Sequence, residues 1–356
     1  RLLGALVVWS LPAWAQVVAG SYVGDGTAGR FVDTRVTPTW VLVKGEAGPI
    51  NEPAMMRTAT MTGDASKRLA GTTVTPMAPD GITSIDDGGF RVGTRPEVNA
   101  AGHRYWFVAG LAGVSSVVGK YTGDGTADRQ VPIGFAPDWV LLLPDSNDEP
   151  VFALDAPDSG LNHVFHGREG VAPAGFLALE SGGFRVTSLA SSNASGTAYH
   201  YVAVRKKPEL AAIGTYVGDG ARFRSVLGLG LYPQWVFVSL PETNAVHGFA
   251  GRPGHVELTL TGAGPSSAGL VPVPGGFETD GGTGRVNINN REYAFVALGG
   301  ASVLEDGGVL GDPSVLEVPR AAPKHYGVGC ACGAGGGGPL LLLILLGMQS
   351  GGGNES

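Results

Sequence analysis

Pro38-Thr-Trp40-Val-Leu-Val43 is written again as Pro137-Asp-Trp139-Val-Leu-Leu-Leu143 and a third time as Pro233-Gln-Trp235-Val-Phe-Val238. Each copy is a short apolar run opened by a proline, the pattern of a strand buried on both faces. The same landmarks surround each run in the same order. Upstream stand Gly20-Ser-Tyr22-Val-Gly24-Asp25-Gly26, Gly119-Lys-Tyr121-Thr-Gly123-Asp124-Gly125 and Gly214-Thr-Tyr216-Val-Gly218-Asp219-Gly220, their tyrosines 99 and 95 residues apart. Downstream come Gly88-Gly-Phe90, Gly182-Gly-Phe184 and Gly275-Gly-Phe277, then Phe107-Val-Ala109, Tyr201-Val-Ala203 and Phe295-Val-Ala297. One unit is written three times. Its period is the size of a β-sandwich module, well above the 20–50 residues of solenoid and propeller repeats.

Phe90-Arg-Val92 and Phe184-Arg-Val186 alternate apolar and charged residues after a Gly-Gly turn, as half-exposed strands do. A sustained 3.6-residue apolar stripe is missing, and the short runs are separated by Gly, Pro, Asn and Asp. The expectation is an all-β chain of three tandem antiparallel β-sandwich domains at 16–112, 113–208 and 209–300. Their boundaries fall at Leu111–Val117 and near Lys206-Lys207-Pro208. Composition agrees: 59 glycines and 24 prolines among 356 residues, with 43% hydrophobic and 15% charged, exclude both a helical bundle and a disordered polyelectrolyte. A net charge of −7 without a basic block gives no electrostatic footprint for nucleic acid.

The two ends read as targeting segments. Residues 1–15 place Arg1 before a short apolar stretch that closes on Ala13-Trp14-Ala15, the small-x-small pattern of signal-peptidase sites, with cleavage between Ala15 and Gln16. After a Pro- and Gly-spaced stalk at 301–326, the tail 327–356 carries Cys330 and Cys332, a glycine run and the apolar stretch Leu340–Leu346. Gly327 to Met348 is 22 residues without a charge, long enough for a membrane span. A Cys-x-Cys pair closes no relaxed disulfide and is too small for a zinc site, so these sulfurs read as a processing or lipid-attachment point.

The tail resembles the C-terminal sorting signal of myxobacterial surface proteins: a Cys motif, a Gly-rich spacer and a Leu-rich segment. It departs from that pattern by ending Gln349-Ser-Gly-Gly-Gly-Asn-Glu-Ser356 instead of in an Arg-rich cluster. The likeness implies an exported, envelope-held protein. More loosely, the landmarks Tyr-x-Gly-Asp-Gly, Pro-x-Trp-Val, Gly-Phe-x-Val and aromatic-Val-Ala resemble an uncharacterised β-rich module of phage tail and bacterial surface proteins. That likeness implies a fold and a surface setting.

Candidate chemistry is sparse. Asp25, Asp124 and Asp219 on Gly-rich loops are the candidate metal ligands, and calcium is the one cofactor they suggest. Calcium needs 6–8 oxygens, though, and Asp-Gly is also a hairpin-turn signal. Trp40, Trp139 and Trp235 read as core anchors more than as a sugar-stacking platform; the non-repeating Trp106 and His200 are the better glycan candidates. His163-Val-Phe-His166 with Asp155 and Asp158 upstream, and His247 and His255 in the third repeat, fall short of the three or four convergent ligands of a zinc site. Gly264-Pro-Ser-Ser-Ala-Gly269 misses the spacing of a nucleophile elbow, and Asn193-Ala-Ser195 matches a glycosylation sequon.

What repeats is read as Gly, Pro, aromatic and aliphatic, with polar and ionisable side chains differing from copy to copy. No catalytic, cofactor-binding or nucleophilic constellation follows. The functional expectation is a non-enzymatic protein of the cell surface or outer membrane, or released from it. It would be anchored in the envelope membrane by its tail and act in adhesion or recognition of a polysaccharide or surface protein. A passive spacer or coat protein is the alternative, and a secreted hydrolase the weakest reading.

Overall fold

The computed structural model describes residues 17–46, 52–69, 77–113, 115–155, 163–164, 175–240, 246–249, 258–259, 269–280, 286–303 and 309–310. They belong to one compact unit and form several sheets with one short helix. The first repeat contains β1 (Val17–Val23), β2 (Arg30–Asp33), β3 (Trp40–Gly45), β4 (Met55–Thr58), β5 (Lys67–Arg68), β6 (Ile82–Asp86), β7 (Gly89–Val92), the single helical turn α1 (Pro96–Asn99) and β8 (Arg104–Gly110). The second contains β9 (Ser116–Thr122), β10 (Arg129–Pro132), β11 (Trp139–Pro144), β12 (Val151–Leu154), β13 (His163–Val164), β14 (Phe176–Glu180), β15 (Gly183–Val186) and β16 (Ala198–Val204). The third contains β17 (Ala211–Val217), β18 (Phe223–Leu227), β19 (Pro233–Ser239), β20 (Val246–Phe249), β21 (Leu258–Thr259), β22 (Leu270–Val273), β23 (Gly276–Asp280) and β24 (Glu292–Val303), followed by β25 (Val309–Leu310).

Every repeat lays these strands into the same two antiparallel sheets. The larger has the order β1-β8-β3-β4-β5, repeated as β9-β16-β11-β12-β13 and β17-β24-β19-β20-β21. The smaller is β2-β7-β6, then β10-β15-β14 and β18-β23-β22. The register explains why two sequence landmarks travel together: Val41 pairs with Ala109, Val140 with Ala203 and Val236 with Ala297. The Trp-Val run and the aromatic-Val-Ala run are neighbouring central strands, locked in one register in all three copies.

Because side chains alternate across a strand, a run apolar at every position serves two cores. Val41, Val43, Phe107 and Ala109 point onto Val32, Ile82, Phe90 and Val92 of the smaller sheet, forming the first repeat's own sandwich-like core. Val140, Leu142, Tyr201 and Ala203 do the same in the second, and Val236, Val238, Phe295 and Ala297 in the third. The alternate residues face away from their own smaller sheet and meet one another. Trp40, Leu42, Trp139, Leu141, Trp235 and Phe237 belong to a single buried cluster drawn from all three repeats. Trp40 meets Trp235 edge to face with ring centroids 6.4 Å apart, and Phe152 meets Phe237 at 5.0 Å. A buried aromatic ring removes on the order of 200 Å² from water, so each tryptophan is worth up to about 5 kcal/mol here.

Polar contacts join the first two repeats as well. Thr60 Oγ1 lies 2.7 Å from His200 Nδ1, and the fully buried Lys67 donates to the Ser146 carbonyl at 2.7 Å. The third repeat meets the first through backbone. β24 outlasts its own sheet and runs parallel to β1, pairing Gly300 with Val17 and Val303 with Gly20. β25 then adds to β24. Residues 301–303 and 309–310, assigned to the stalk from sequence, are therefore sheet.

Candidate functional site

The Gly-Asp-Gly loops follow one plan three times. Each connects strands of different sheets, β1 to β2 in the first repeat, so it is a crossover and not the hairpin turn that Asp-Gly suggests. Both glycines are required. A Cβ on Gly24 would lie 2.2 Å from the Ala100 carbonyl oxygen, and Gly26 has φ +73°. The equivalent pairs Gly123/Gly125 and Gly218/Gly220 repeat both constraints.

The aspartate between them closes the loop on itself. Asp25 Oδ1 accepts from the Thr27 amide and hydroxyl, each at 2.8 Å, in an Asx-type turn. The same oxygen accepts from Asn99 Nδ2 at 3.3 Å, while the Asp25 amide donates to Asn99 Oδ1 at 3.0 Å. Arg30 completes the set, its guanidinium 3.0 Å from Asp25 Oδ2 and over the Tyr22 ring. Tyr22 in turn donates to the Val98 carbonyl and stacks on Tyr105, whose hydroxyl accepts from the Ala100 amide and donates to the Pro96 carbonyl.

The second copy is Tyr121, Asp124, Arg129, Asn193 and Tyr199; the third is Tyr216, Asp219, Arg224, Asn287 and Tyr293. Five polar or aromatic side chains thus recur in each repeat, which corrects the sequence reading that polar residues differ from copy to copy. The signal was available: each asparagine lies six residues before the tyrosine opening its last strand, and each arginine lies five after the aspartate.

These partners set the electrostatics. Hydrogen bonds from Thr27, then Asn99 and the Arg30 charge, hold the Asp25 carboxyl at a pKa of about 2. Thr126, then Asn193 and Arg129, do the same for Asp124, also about 2. Asp219 is lowered chiefly by Asn287, since Ala221 offers only its amide where the other loops have a threonine. Burial, foremost, raises Tyr22 and Tyr216 well above the ordinary phenol value.

The arrangement does not fit calcium. One carboxylate oxygen is taken by N–H and O–H donors, the other faces a guanidinium, and a cation would have to displace that arginine and recruit oxygens the loop does not supply. Among the described residues, no group of three or more His, Cys, Asp or Glu could hold a metal ion. The constellation therefore acts as a clamp: it fixes the crossover loop of each repeat against the segment before its last strand.

Other candidates fall elsewhere. Trp40, Trp139 and Trp235 are buried in the shared core. Trp106 and His200, favoured as glycan contacts, are 6% exposed; both lie on the inner face of the last strand, at equivalent positions that Ala294 fills in the third repeat. Burial, opposed by Asp145 and aided by Lys120 and Arg57, pushes His200 down to a pKa of about 4. Asn193, the sequon residue, is fully buried, its amide donating to Asp124 and to the Thr126 carbonyl.

His163 lies in β13 and His247 in β20, while the Asp155 carbonyl accepts from Lys206. Asp158, His166, His255 and 264–268 lie outside the described residues. So do Ala15, Gln16, Cys330 and Cys332. Where the inner faces of the three repeats meet, Trp40, Leu42, Met56, Trp139, Leu141, Trp235 and Phe237 line a cavity of about 10 Å³. That is barely the space of one water, and apolar walls keep it dry. No protein-family profile matches this chain, and no curated protein matches it at a significant level.

Proposed function

We propose that the chain is an exported surface protein of three β-sandwich modules, preceded by the secretion signal at 1–15 and held at the envelope by the tail 327–356. Its role is non-catalytic: adhesion or recognition, with a polysaccharide or another surface protein as the ligand class. The observation that supports this reading is the common core. Three repeats share one buried cluster and each fixes its crossover loop with the same clamp, so the body presents three loop sets on rigid supports. Weak contacts displayed in threes gain from effective concentration. The same packing favours a binding head over the passive spacer, which needs modules laid end to end.

The test is binding of the full chain to isolated envelope polysaccharide and to outer-membrane fractions. Saturable binding competed by soluble polysaccharide, unchanged by chelator, is the expected result. Absence of saturable binding to both fractions overturns recognition. Retention of the protein in the membrane fraction after Cys330 and Cys332 are both replaced by Ser assigns anchoring to Leu340–Leu346 alone.

A further inference from the structure

The outward faces of the three smaller sheets are not alike. In the first repeat the centre of that face is Arg91, ion-paired to Asp86 at 2.7 Å and lying over Phe31. In the second it is Arg185, paired to Asp128 and to Glu180. Register places Glu278 at the same point in the third, opposite Ser225 and Val271. The positions of Asp128 and Glu180 are there taken by Phe223 and Val273, and that of Asp33 and Pro132 by Leu227. Phe223 is 54% exposed and Leu227 59%, the two most exposed large apolar residues among those described.

Two of these substitutions, Phe223 and Leu227, fall on one edge strand. Among the described residues, β2, β10 and β18 each form one edge of a small sheet, with β6, β14 and β22 at the other. Natural edges are protected by charges, by proline or by being short. β2 carries Asp33, β10 ends in Pro132 and starts beside Asp128, and each is four residues long. β18 has five residues, Phe223-Arg-Ser-Val-Leu227, with neither proline nor acid. Its exposed positions read apolar, polar, apolar about Ser225.

We infer that β18 is a self-association edge, pairing antiparallel with β18 of a second copy of this chain about a twofold axis at Ser225. In that register Phe223 lies opposite the partner's Leu227 and Leu227 opposite the partner's Phe223, an apolar pair on each side of the axis. Arg224 faces the partner's Val226 and Arg222 the partner's Gly228, so no like charges oppose. Strand order then continues without a break as β22-β23-β18 followed by the partner's β18-β23-β22. The contact is isologous and closes at two copies. The inference stands apart from the ligand proposed above, since it concerns a face remote from the shared core and requires no envelope component.

Sedimentation of the full chain, with Cys330 and Cys332 replaced by Ser, is the test. A monomer–dimer equilibrium is expected. Phe223→Asp and Leu227→Pro, which restore the second repeat's residues, should each raise the dissociation constant at least tenfold and leave the thermal midpoint of the dilute monomer unchanged. Phe31→Gln, which gives the first repeat's edge strand the second repeat's Gln130, should leave the dimer intact. Ser225→Cys should form a covalent dimer under mild oxidation, because directly opposed residues of an antiparallel pair have α-carbons about 4.5–5.5 Å apart, within the span a disulfide bridges. A monomer up to about 100 μM, or a dimer indifferent to Phe223→Asp, or no cross-link through position 225, overturns the assignment.

Discussion

Replacing Asn99 by Ala removes the centre of the first clamp. Its side chain donates to the Thr27 carbonyl at 2.8 Å and to the Gly93 carbonyl at 2.9 Å, and it accepts from the Asp25 amide at 3.0 Å. The Gly93 bond is buried, and the other two are partly so. Orphaning a buried backbone group costs about 1–3 kcal/mol, and a partly solvated bond about 1 kcal/mol. The expected loss is therefore about 3 kcal/mol, or a fall of about 6 °C in thermal midpoint for a unit of this size. Denaturant unfolding followed by tryptophan fluorescence is the assay, because Trp40, Trp139 and Trp235 report on the shared core.

The other repeats supply internal controls. Asn193 and Asn287 bind their loops equivalently, but no bond like that to Gly93 is recorded for them among the described residues. Asn193→Ala and Asn287→Ala should therefore cost less than Asn99→Ala. Asn99→Asp separates hydrogen bonding from shape. It keeps the volume but sets a second carboxylate beside Asp25, so at neutral pH it should be worse than alanine, with the gap closing in acid. Losses below about 0.5 kcal/mol at all three positions, or a neutral Asn99→Asp, would refute the clamp as a stabilising device.

Three further outcomes follow from the same geometry. Asp25 and Asp124 titrate near pH 2 when folded and near 3.9 when unfolded, so their contribution is complete above about pH 4 and is lost as pH falls toward 2; Asp25→Asn with Asp124→Asn should flatten that limb of the acid-unfolding curve. His200 is a base with a depressed pKa, about 4 folded against 6.5 unfolded, so stability is fully present above pH 6.5 and declines between 6.5 and 4. His200→Gln should remove that decline, and the His200 imidazole of the wild type should stay neutral down to about pH 4, read from its own ring resonances. Gly300→Ala would drive a Cβ to 1.8 Å from the Val17 carbonyl oxygen, so the pairing of β24 with β1 should open. Faster amide exchange confined to Val17–Gly20 and Gly300–Val303 is the readout, and unchanged protection there would show that the closure does not depend on this approach.

Much of this architecture could be read from residues. The continuous runs after Pro38, Pro137 and Pro233 signal strands buried on both faces, and they are. What they cannot say is what covers the second face, because a strand buried by its own module and one buried by a neighbouring module have the same composition. The three tryptophans therefore read as core without revealing that the core is common to all repeats. The clamp is hidden for a different reason. The recurring landmarks are glycine and aromatic residues, and the asparagines sit in dissimilar surroundings, Val98-Asn-Ala100, Ser192-Asn-Ala194 and Val286-Asn-Ile288. Only their fixed distance to the next tyrosine betrays them.

Trp106, His200 and Ala294 show what three linked copies permit. They occupy one position of the repeat, on the inner face of the last strand, yet differ in volume and polarity far more than the clamp residues do. Three identical separate chains around a common axis would need one side chain there to satisfy every neighbour at once. A single chain lifts that demand, and each copy answers its own surroundings. Trp106 donates its indole N–H toward Glu46, His200 meets Thr60 of the first repeat, and Ala294 packs small within the shared cluster. The clamp has no such freedom, because its partners lie within its own repeat and are the same three times. A position facing other repeats is thus free to vary but not bound to, since Trp40, Trp139 and Trp235 lie in the same shared cluster and are the same in all three copies.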